Sequence, residues 1–199
     1  MTSRHYRTEP CAAQGCLKNA LTGAPHCWDH VGDRPAFLDT LPKRLAGAWL
    51  VDVDFAGRDL SGINLSGARL SGANLSGVNL AGADLRRTFL DGANLRGANL
   101  SGADLEMAVL GGADVSEATF ADANLQRANL VGTKGHRTCF ARANLYYSRP
   151  GNADFREADL AGATIQRAIF RRANLGQAIL KDTRGDANFE NANLEGVTL

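Results

Sequence analysis

From Phe55 to Leu130 every fifth residue is large and apolar. The residue two places before is small in most units, usually alanine, as in Ala68, Ala73, Ala83, Ala93, Ala98 and Ala103. A period of five fits neither the 3.6 of a helix nor the 2 of a strand. The chain is therefore an internal repeat whose units cannot fold singly and must stack. Glycine and other small or polar residues fill most remaining places. The 44% of apolar residues stand in single file, which suits a long thin core rather than a round one. Asn and Asp alternate in the slot before the large residue, as in Asn79, Asp84, Asn99 and Asp104, where short polar side chains cap turns. The pairs Ser61-Gly62, Ser66-Gly67 and Ser71-Gly72 read as turns, not as nucleophile elbows.

The rhythm is broken in three places. Gly135 and Pro150 stand where a large apolar residue is due, and Phe140 and Phe155 return on schedule. Between Leu180 and Phe189 one residue is missing, with Gly185 inside the gap. Counted around the repeat, Gly135 and Pro150 fall on adjoining sides one coil apart. Each reads as a local bulge or an unfilled core place, with a ligand or partner notch as the alternative. Three segments follow: residues 1–33 with a Cys/His cluster, residues 34–50 as a short helical cap containing Phe37, Leu45 and Trp49, and the array 51–199.

The units Ala73-Asn74-Leu75-Ser76-Gly77, Ala83-Asp84-Leu85-Arg86-Arg87 and Ala173-Asn174-Leu175-Gly176-Gln177 resemble the A(D/N)LXX consensus of the pentapeptide-repeat family. The resemblance covers residues 51–199, about three quarters of the chain. It implies an all-β fold, a right-handed quadrilateral parallel β-helix with four units to each square coil. A little over seven coils at a strand spacing of ~4.8 Å make a rod roughly 35 Å long. So tight a square admits one Leu or Phe per side, and alanine beside it because anything larger overpacks.

Members of that family are mostly non-enzymatic, and some resemble a DNA duplex in width and charge. The resemblance implies a protein-binding scaffold, most concretely one that interacts with DNA gyrase or topoisomerase IV and protects it from poisons, an antibiotic-resistance role. This chain departs from that group in charge: the array holds 16 basic and 17 acidic residues, whereas a duplex mimic needs a strongly negative rod. It also lacks their C-terminal dimerising helix and long outward loops, since repeat residues run to Leu199.

Outside the array the sequence reads Cys11-x4-Cys16-x10-Cys27-x2-His30. Three thiols and an imidazole can close a tetrahedral zinc site, and the Cys-x2-His pair has a zinc-knuckle spacing. A metal would supply folding energy that a segment this short cannot draw from a core. Unliganded reduced thiols and redox use are the other readings, and His26 is a poorer substitute for His30 because it adjoins Cys27. Four protein ligands leave no open position for hydrolysis. Cys139, far along the array, reads as a free thiol. No catalytic constellation appears elsewhere, and the chain is read as no enzyme.

Residues twenty apart stack vertically. Arg87, Met107, Arg127, Tyr147 and Arg167 thus form one ladder, with Arg86 and Tyr146 beside it. On the side that follows, the slot normally held by Asn or Asp carries Phe89, Val109 and Ile169 together with Arg69 and Arg149. Aligned apolar residues interspersed with arginine suit a protein partner. The ladder and the zinc knuckle also suit a regulatory or nucleic-acid-associated module, since residues 127–184 hold 11 basic against 4 acidic residues and residues 51–126 hold 5 against 10. The net charge of +1 gives no global field toward nucleic acid or membrane. Neither a signal-peptide core nor a spanning stretch is present, so a cytoplasmic protein is expected. Leu194 and Leu199, on the last repeats, are expected to pair two copies into a dimer.

Overall fold

One unit explains the whole array. In Ala93-Asn94-Leu95-Arg96-Gly97, the Leu95 N–H donates to Asp114 O in the coil on one side at 2.7 Å, and Asn94 N–H to Ala73 O in the coil on the other at 2.9 Å. Gly97 N–H donates to Ser116 O at 2.9 Å, and Ala93 N–H to Leu90 O at 3.0 Å, closing a β-turn with the preceding unit. The fifth donor, Arg96 N–H, is taken by Asn94 Oδ1 at 3.2 Å. Every amide donor of the unit is satisfied, which is what a backbone packed into walls requires. The Asn or Asp slot is therefore a backbone acceptor.

The computed structural model describes residues 9–199; residues 1–8, with the polar start Met1-Thr2-Ser3-Arg4-His5, lie outside them. Parallel bridges join residues twenty apart from Arg44↔Asn64 to Thr164↔Arg184 and nineteen apart from Ile169↔Asn188 onward. The architecture is a right-handed quadrilateral parallel β-helix. Leu65, Leu70, Leu75 and Leu80 line successive walls with no exposed surface, and Ala68, Ala73 and Val78 are equally enclosed beside them. Where threonine replaces alanine its hydroxyl is inside, and it donates to a carbonyl of the adjacent coil: Thr88 to Leu65 O at 2.9 Å, Thr133 to Leu110 O at 3.0 Å, Thr138 to Val115 O at 2.9 Å. Ser148 fills the same place, and its buried hydroxyl has no partner.

The turn that ends each unit puts its third residue in the left-handed region, as at Gly97 with φ 62°. Sixteen non-glycine residues among those described share it, with φ between 55° and 62°.

The three irregularities have separate physical causes. A Cβ on Gly135 would stand 2.5 Å from the Phe155 ring, so the ring from the neighbouring coil fills the place of the absent side chain. No notch opens there. Phe140 lies between Phe120 (centroids 5.2 Å apart) and Phe155 (5.1 Å), so leucine packing gives way to an aromatic stack. Pro150 is buried, and because proline has no N–H the ladder contact between Arg149 and Ile169 is missing from an otherwise continuous series. At the shortened corner Gly185 adopts φ +89°, and a Cβ there would meet the Gln166 backbone nitrogen at 3.0 Å and its Cα at 2.8 Å. Only glycine lets one residue do the work of two there.

Repeat pairing begins earlier than the expected boundary at residue 51. Arg44 pairs with Asn64 and Trp49 with Arg69, since Leu45 and Leu50 are already in phase. Trp49 belongs to the outer wall, not to a cap. Within residues 34–50 the helix α1 is confined to Arg34–Asp39, and Asp33 accepts the Ala36 N–H at 3.0 Å at its start. Before it, a short 3-10 helix spans Trp28–His30. Trp28, Phe37 and Leu21 continue the buried column that starts at Leu45, so these elements close the first coil. Thr22 completes the closure with both its groups: its N–H donates to Trp49 O at 3.0 Å, and its hydroxyl oxygen accepts the Trp49 N–H at 2.8 Å. Lys18 reaches Asp52 (2.8 Å) and Asp29 (2.9 Å), a clasp from the N-terminal segment to the array. The two carboxylates hold the Lys18 ammonium well above its ordinary range. No helix among the described residues is long and apolar enough to cross a membrane.

Restoring the consensus at position 135 is expected to harm the protein. Gly135→Leu forces the Phe155 ring out and costs about 1–3 kcal/mol or more. Gly97→Ala has open space around it and loses about 1 kcal/mol to backbone strain. Urea unfolding of both variants checks this; a gain at Gly135→Leu would show that the ring does not depend on that space.

Candidate functional site

The first site is the Cys/His cluster. A small antiparallel bridge, Pro10↔Asn19, holds the loop that carries Cys11 and Cys16, and Cys11 N–H donates to Lys18 O at 2.9 Å. Cys27 precedes the 3-10 helix, and His30 ends it, where His30 N–H donates to Cys27 O at 3.0 Å. The four ligand atoms of Cys11, Cys16, Cys27 and His30 lie within 4.8 Å of one another. Cys16 Sγ is 3.8 Å from Cys27 Sγ, and His30 Nδ1 is 3.5 Å from Cys11 Sγ and 3.2 Å from Cys27 Sγ. Tetrahedral zinc sets sulfur–sulfur edges of about 3.8 Å and sulfur–nitrogen edges of about 3.6 Å. The donor set is thus spaced for one metal ion. All three cysteines are unbridged.

The thiols interact unequally. Burial pushes the Cys11 thiol up, but hydrogen bonds from the Cys27 and Ala13 backbone, with the Cys27 and His30 side chains, outweigh it and hold it at about 6. Burial, followed by the neighbouring Cys11 and Cys16 side chains, pushes the Cys27 thiol up. Three sulfurs this close cannot all carry charge without a cation among them, so the electrostatics agree with the spacing.

The second site is one wall and its corner. Along this wall the outward slot holds Trp49, Arg69, Phe89, Val109, Asn129, Arg149, Ile169 and Asn188. Only Asn129 and Asn188 keep the turn-capping amide, accepting Val131 N–H at 3.1 Å and Glu190 N–H at 2.8 Å. On the next wall the same slot departs only at Lys134: Asp54, Asn74, Asn94, Asp114, Asp154, Asn174 and Asn193 each accept the turn N–H, and some ladder as well, as in Asn74 Nδ2 to Asp54 Oδ1 at 3.0 Å. The wall with Phe89 has given up a bond worth about 0.5–1.5 kcal/mol at each altered unit. The corner leading into it carries Arg87, Met107, Arg127, Tyr147 and Arg167, all at φ 56–60°, whereas the next corner has Gly72, Gly92, Gly112 and Gly132, with Asp52, Asn152 and Arg172 at its ends. Side chains persist here in a conformation that favours glycine.

The predicted partner residues come together on this surface with unequal exposure. Met107, Tyr147 and Ile169 are among the exposed large hydrophobics, while Phe89, Val109 and Tyr146 are half-buried. The Arg69 guanidinium lies between two rings, 5.2 Å from Trp49 and 4.7 Å from Phe89. Arg167 lies over the Tyr147 ring at 5.1 Å and donates to its hydroxyl, and Tyr146 meets Tyr147 edge-on at 4.7 Å. Arg69, Arg87, Arg127, Arg149 and Arg167 form no ion pair among the described residues. Arg86 differs: Asp84 takes its Nε and Nη2 at 2.8 and 2.7 Å, so it is not free for a partner. Elsewhere on the corners, charges pair across coils, as in Arg142 with Asp122 and Arg137 with Glu157.

Trp49 was absent from the predicted surface although it stands twenty residues before Arg69, and that count alone could have placed it. Leu194 and Leu199 lie on the last coil with 43% and 89% of their surface exposed.

Square coils joined by parallel bridges around a file of leucines define a β-helical solenoid. The model of pentapeptide repeats matches the chain in 8 copies, over residues 48–87, 73–112, 98–134, 113–146 and 138–177. This chain belongs to the pentapeptide-repeat family. It is similar to the structure of HetL, a pentapeptide repeat protein involved in heterocyst differentiation regulation from the cyanobacterium Nostoc sp. strain PCC 7120, at 24% identity and TM-score 0.57, covering 85% of this chain and 94% of that one. A trypsin-treated form of QnrB1, a plasmid-mediated fluoroquinolone resistance protein, aligns at 20% identity and TM-score 0.49 over 80% of this chain and 87% of the other. A pentapeptide repeat protein from the Arabidopsis thaliana thylakoid lumen shows 31% identity over 55% of this chain and 66% of its own, at TM-score 0.33. A search of the curated proteins found no match.

Returning one capping amide to the altered wall is expected to stabilise it. In Ile169→Asn the new side chain can accept the Arg171 N–H, raising stability by about 0.5–1.5 kcal/mol in urea unfolding. A loss would show that packing by the Ile169 side chain outweighs the missing bond.

Proposed function

We propose that the protein is a non-enzymatic scaffold that binds another protein along the wall of Arg69, Phe89, Val109, Arg149 and Ile169 and its corner Arg87 to Arg167. The observation that carries this reading is the surrender of the backbone-capping slot at most units of this wall, while the neighbouring wall keeps it at every unit but Lys134. Local stability given up from Trp49 through Val109, and again at Arg149 and Ile169, marks a surface kept for another purpose. Apolar residues and arginines together have the composition of interface cores. A photo-reactive residue at position 109 should cross-link one protein at physiological salt, and Arg127→Glu should abolish the product. Cross-links that are unchanged in the variant, or equally strong from position 79 on another wall, would overturn the assignment.

The topoisomerase version of this reading rests on family resemblance, and the near-neutral array argues for contact through specific side chains rather than duplex mimicry. Added protein should slow the poisoning of DNA gyrase in a supercoiling assay; no shift at stoichiometric excess removes that version. Self-association through the exposed Leu194 and Leu199 is a separate proposal, for which light scattering at tens of micromolar should give twice the chain mass, and the chain mass alone would sink it.

The Cys11, Cys16, Cys27 and His30 set is proposed to hold a structural zinc ion. With all four positions taken by protein, the ion would supply folding energy to the segment that closes the first coil. Elemental analysis should find one zinc per chain, lost in Cys27→Ser, with Tm lowered on the order of 5 °C or more. A metal-free protein of unchanged Tm would refute the assignment.

A further inference from the structure

The corner Arg87-Met107-Arg127-Tyr147-Arg167 alternates cation and apolar side chain at every coil. At ~4.8 Å per coil, like residues recur every ~9.6 Å along the rod. An α-helix laid along the same axis repeats one face every seven residues, about 10.5 Å. An extended strand repeats a face every ~6.8 Å and falls out of step. Over the two repeats from Arg87 to Arg167 the helix drifts by about 2 Å, within the reach of an arginine side chain.

Charge decides what that helix carries. The five arginines of the wall and corner pair with no carboxylate among the described residues, as their absence from the ion pairs shows. Between Arg87 and Arg167 the corner contains no acidic residue, and Glu106 beside it forms no ion pair within 4 Å. Arg69 is held flat between Trp49 and Phe89, and Arg167 over Tyr147, so these forks are pre-positioned and lose little freedom on binding. The same stacking tells against single-stranded nucleic acid. Base readout by stacking needs free aromatic faces, and here guanidinium groups cover the Trp49, Phe89 and Tyr147 rings.

We infer that the partner segment is an acidic amphipathic helix lying along the rod, with carboxylates seven residues apart meeting Arg87, Arg127 and Arg167, and apolar residues between them meeting Met107 and Tyr147. This deepens the scaffold reading and rests on it.

The test uses the full chain and a labelled helical peptide of about 21 residues, roughly 31 Å long, with Glu at every seventh place and Leu between. A same-composition scramble and a single-stranded DNA of about 20 nucleotides accompany it. Fluorescence anisotropy should show the patterned peptide binding about ten-fold or more tighter than the scramble. Arg127→Glu and Arg167→Glu should each weaken it about ten-fold or more, while Arg172→Glu on the glycine-rich corner changes it less than about two-fold. Glu117 and Glu157 already occupy the left-handed turn place at φ 62° and 56°, so the fold accommodates these substitutions. Equal affinity for the scramble, no binding of either peptide, or tighter binding of the DNA that is lost in the same variants would each overturn the inference. If the peptide fails while the cross-link from position 109 still depends on Arg127, the scaffold reading stands and only the chemistry assigned to the partner falls.

Discussion

Each five-residue unit must place five amide donors; stacking places three of them and the turn between units a fourth. Bonds to the coils on either side and the turn bond between units use the backbone of Leu95, Asn94, Gly97 and Ala93, leaving only Arg96 N–H to a side chain. That single residual demand explains why Asn or Asp stands before the large residue at most units of the other three walls, Lys134, Cys139 and Ile179 being among the exceptions. It also makes the wall carrying Phe89 legible as a departure. A fold whose backbone ledger closes so nearly within the unit can leave the fifth donor to water on one wall and remain intact, because the core and the other four bonds are unaffected. Function in such a rod is therefore written in the outer slots.

The ends obey the same demand. A first coil has no predecessor to receive its outward bonds or to cover Leu45 and Leu50. Thr22, the 3-10 helix Trp28–His30 and α1 take that place, joining their own buried Trp28 and Phe37 to the leucine column. The Cys/His cluster lies in this closing segment, so the zinc ion proposed for it would brace the end of the solenoid. The Lys18 clasp to Asp29 and Asp52 is half-exposed and adds orientation more than energy.

Much of this was legible from the sequence, and the reasons differ by residue. The spacing of Leu65 to Leu130 reveals the coil because only one side chain per side fits within it. Gly97 and its equivalents read as turn residues because φ above zero favours glycine. Cys11, Cys16, Cys27 and His30 could be named as a set, but not shown to converge, since the gaps between them constrain no distance. Pro42 and Gly47 mask the rhythm before residue 51, although Trp49 already pairs with Arg69 in the wall. Gly135 reads in sequence as a bulge or an unfilled core place, and the Phe155 ring fills it, an event between residues twenty apart that no local pattern reports.

What the sequence determines by itself is periodic: coil size, inward residues, turn residues, and which slots depart from the pattern, all consequences of repetition that a single chain displays in one dimension. Tertiary structure alone decided which of those departures are used up internally. Asp122 engages Arg142 from the neighbouring coil, and Arg69 settles between Trp49 and Phe89, leaving a row of guanidinium groups without carboxylates. The distinction is physical. Side-chain direction and partner choice depend on distances across coils, and those distances exist only once the coils are stacked.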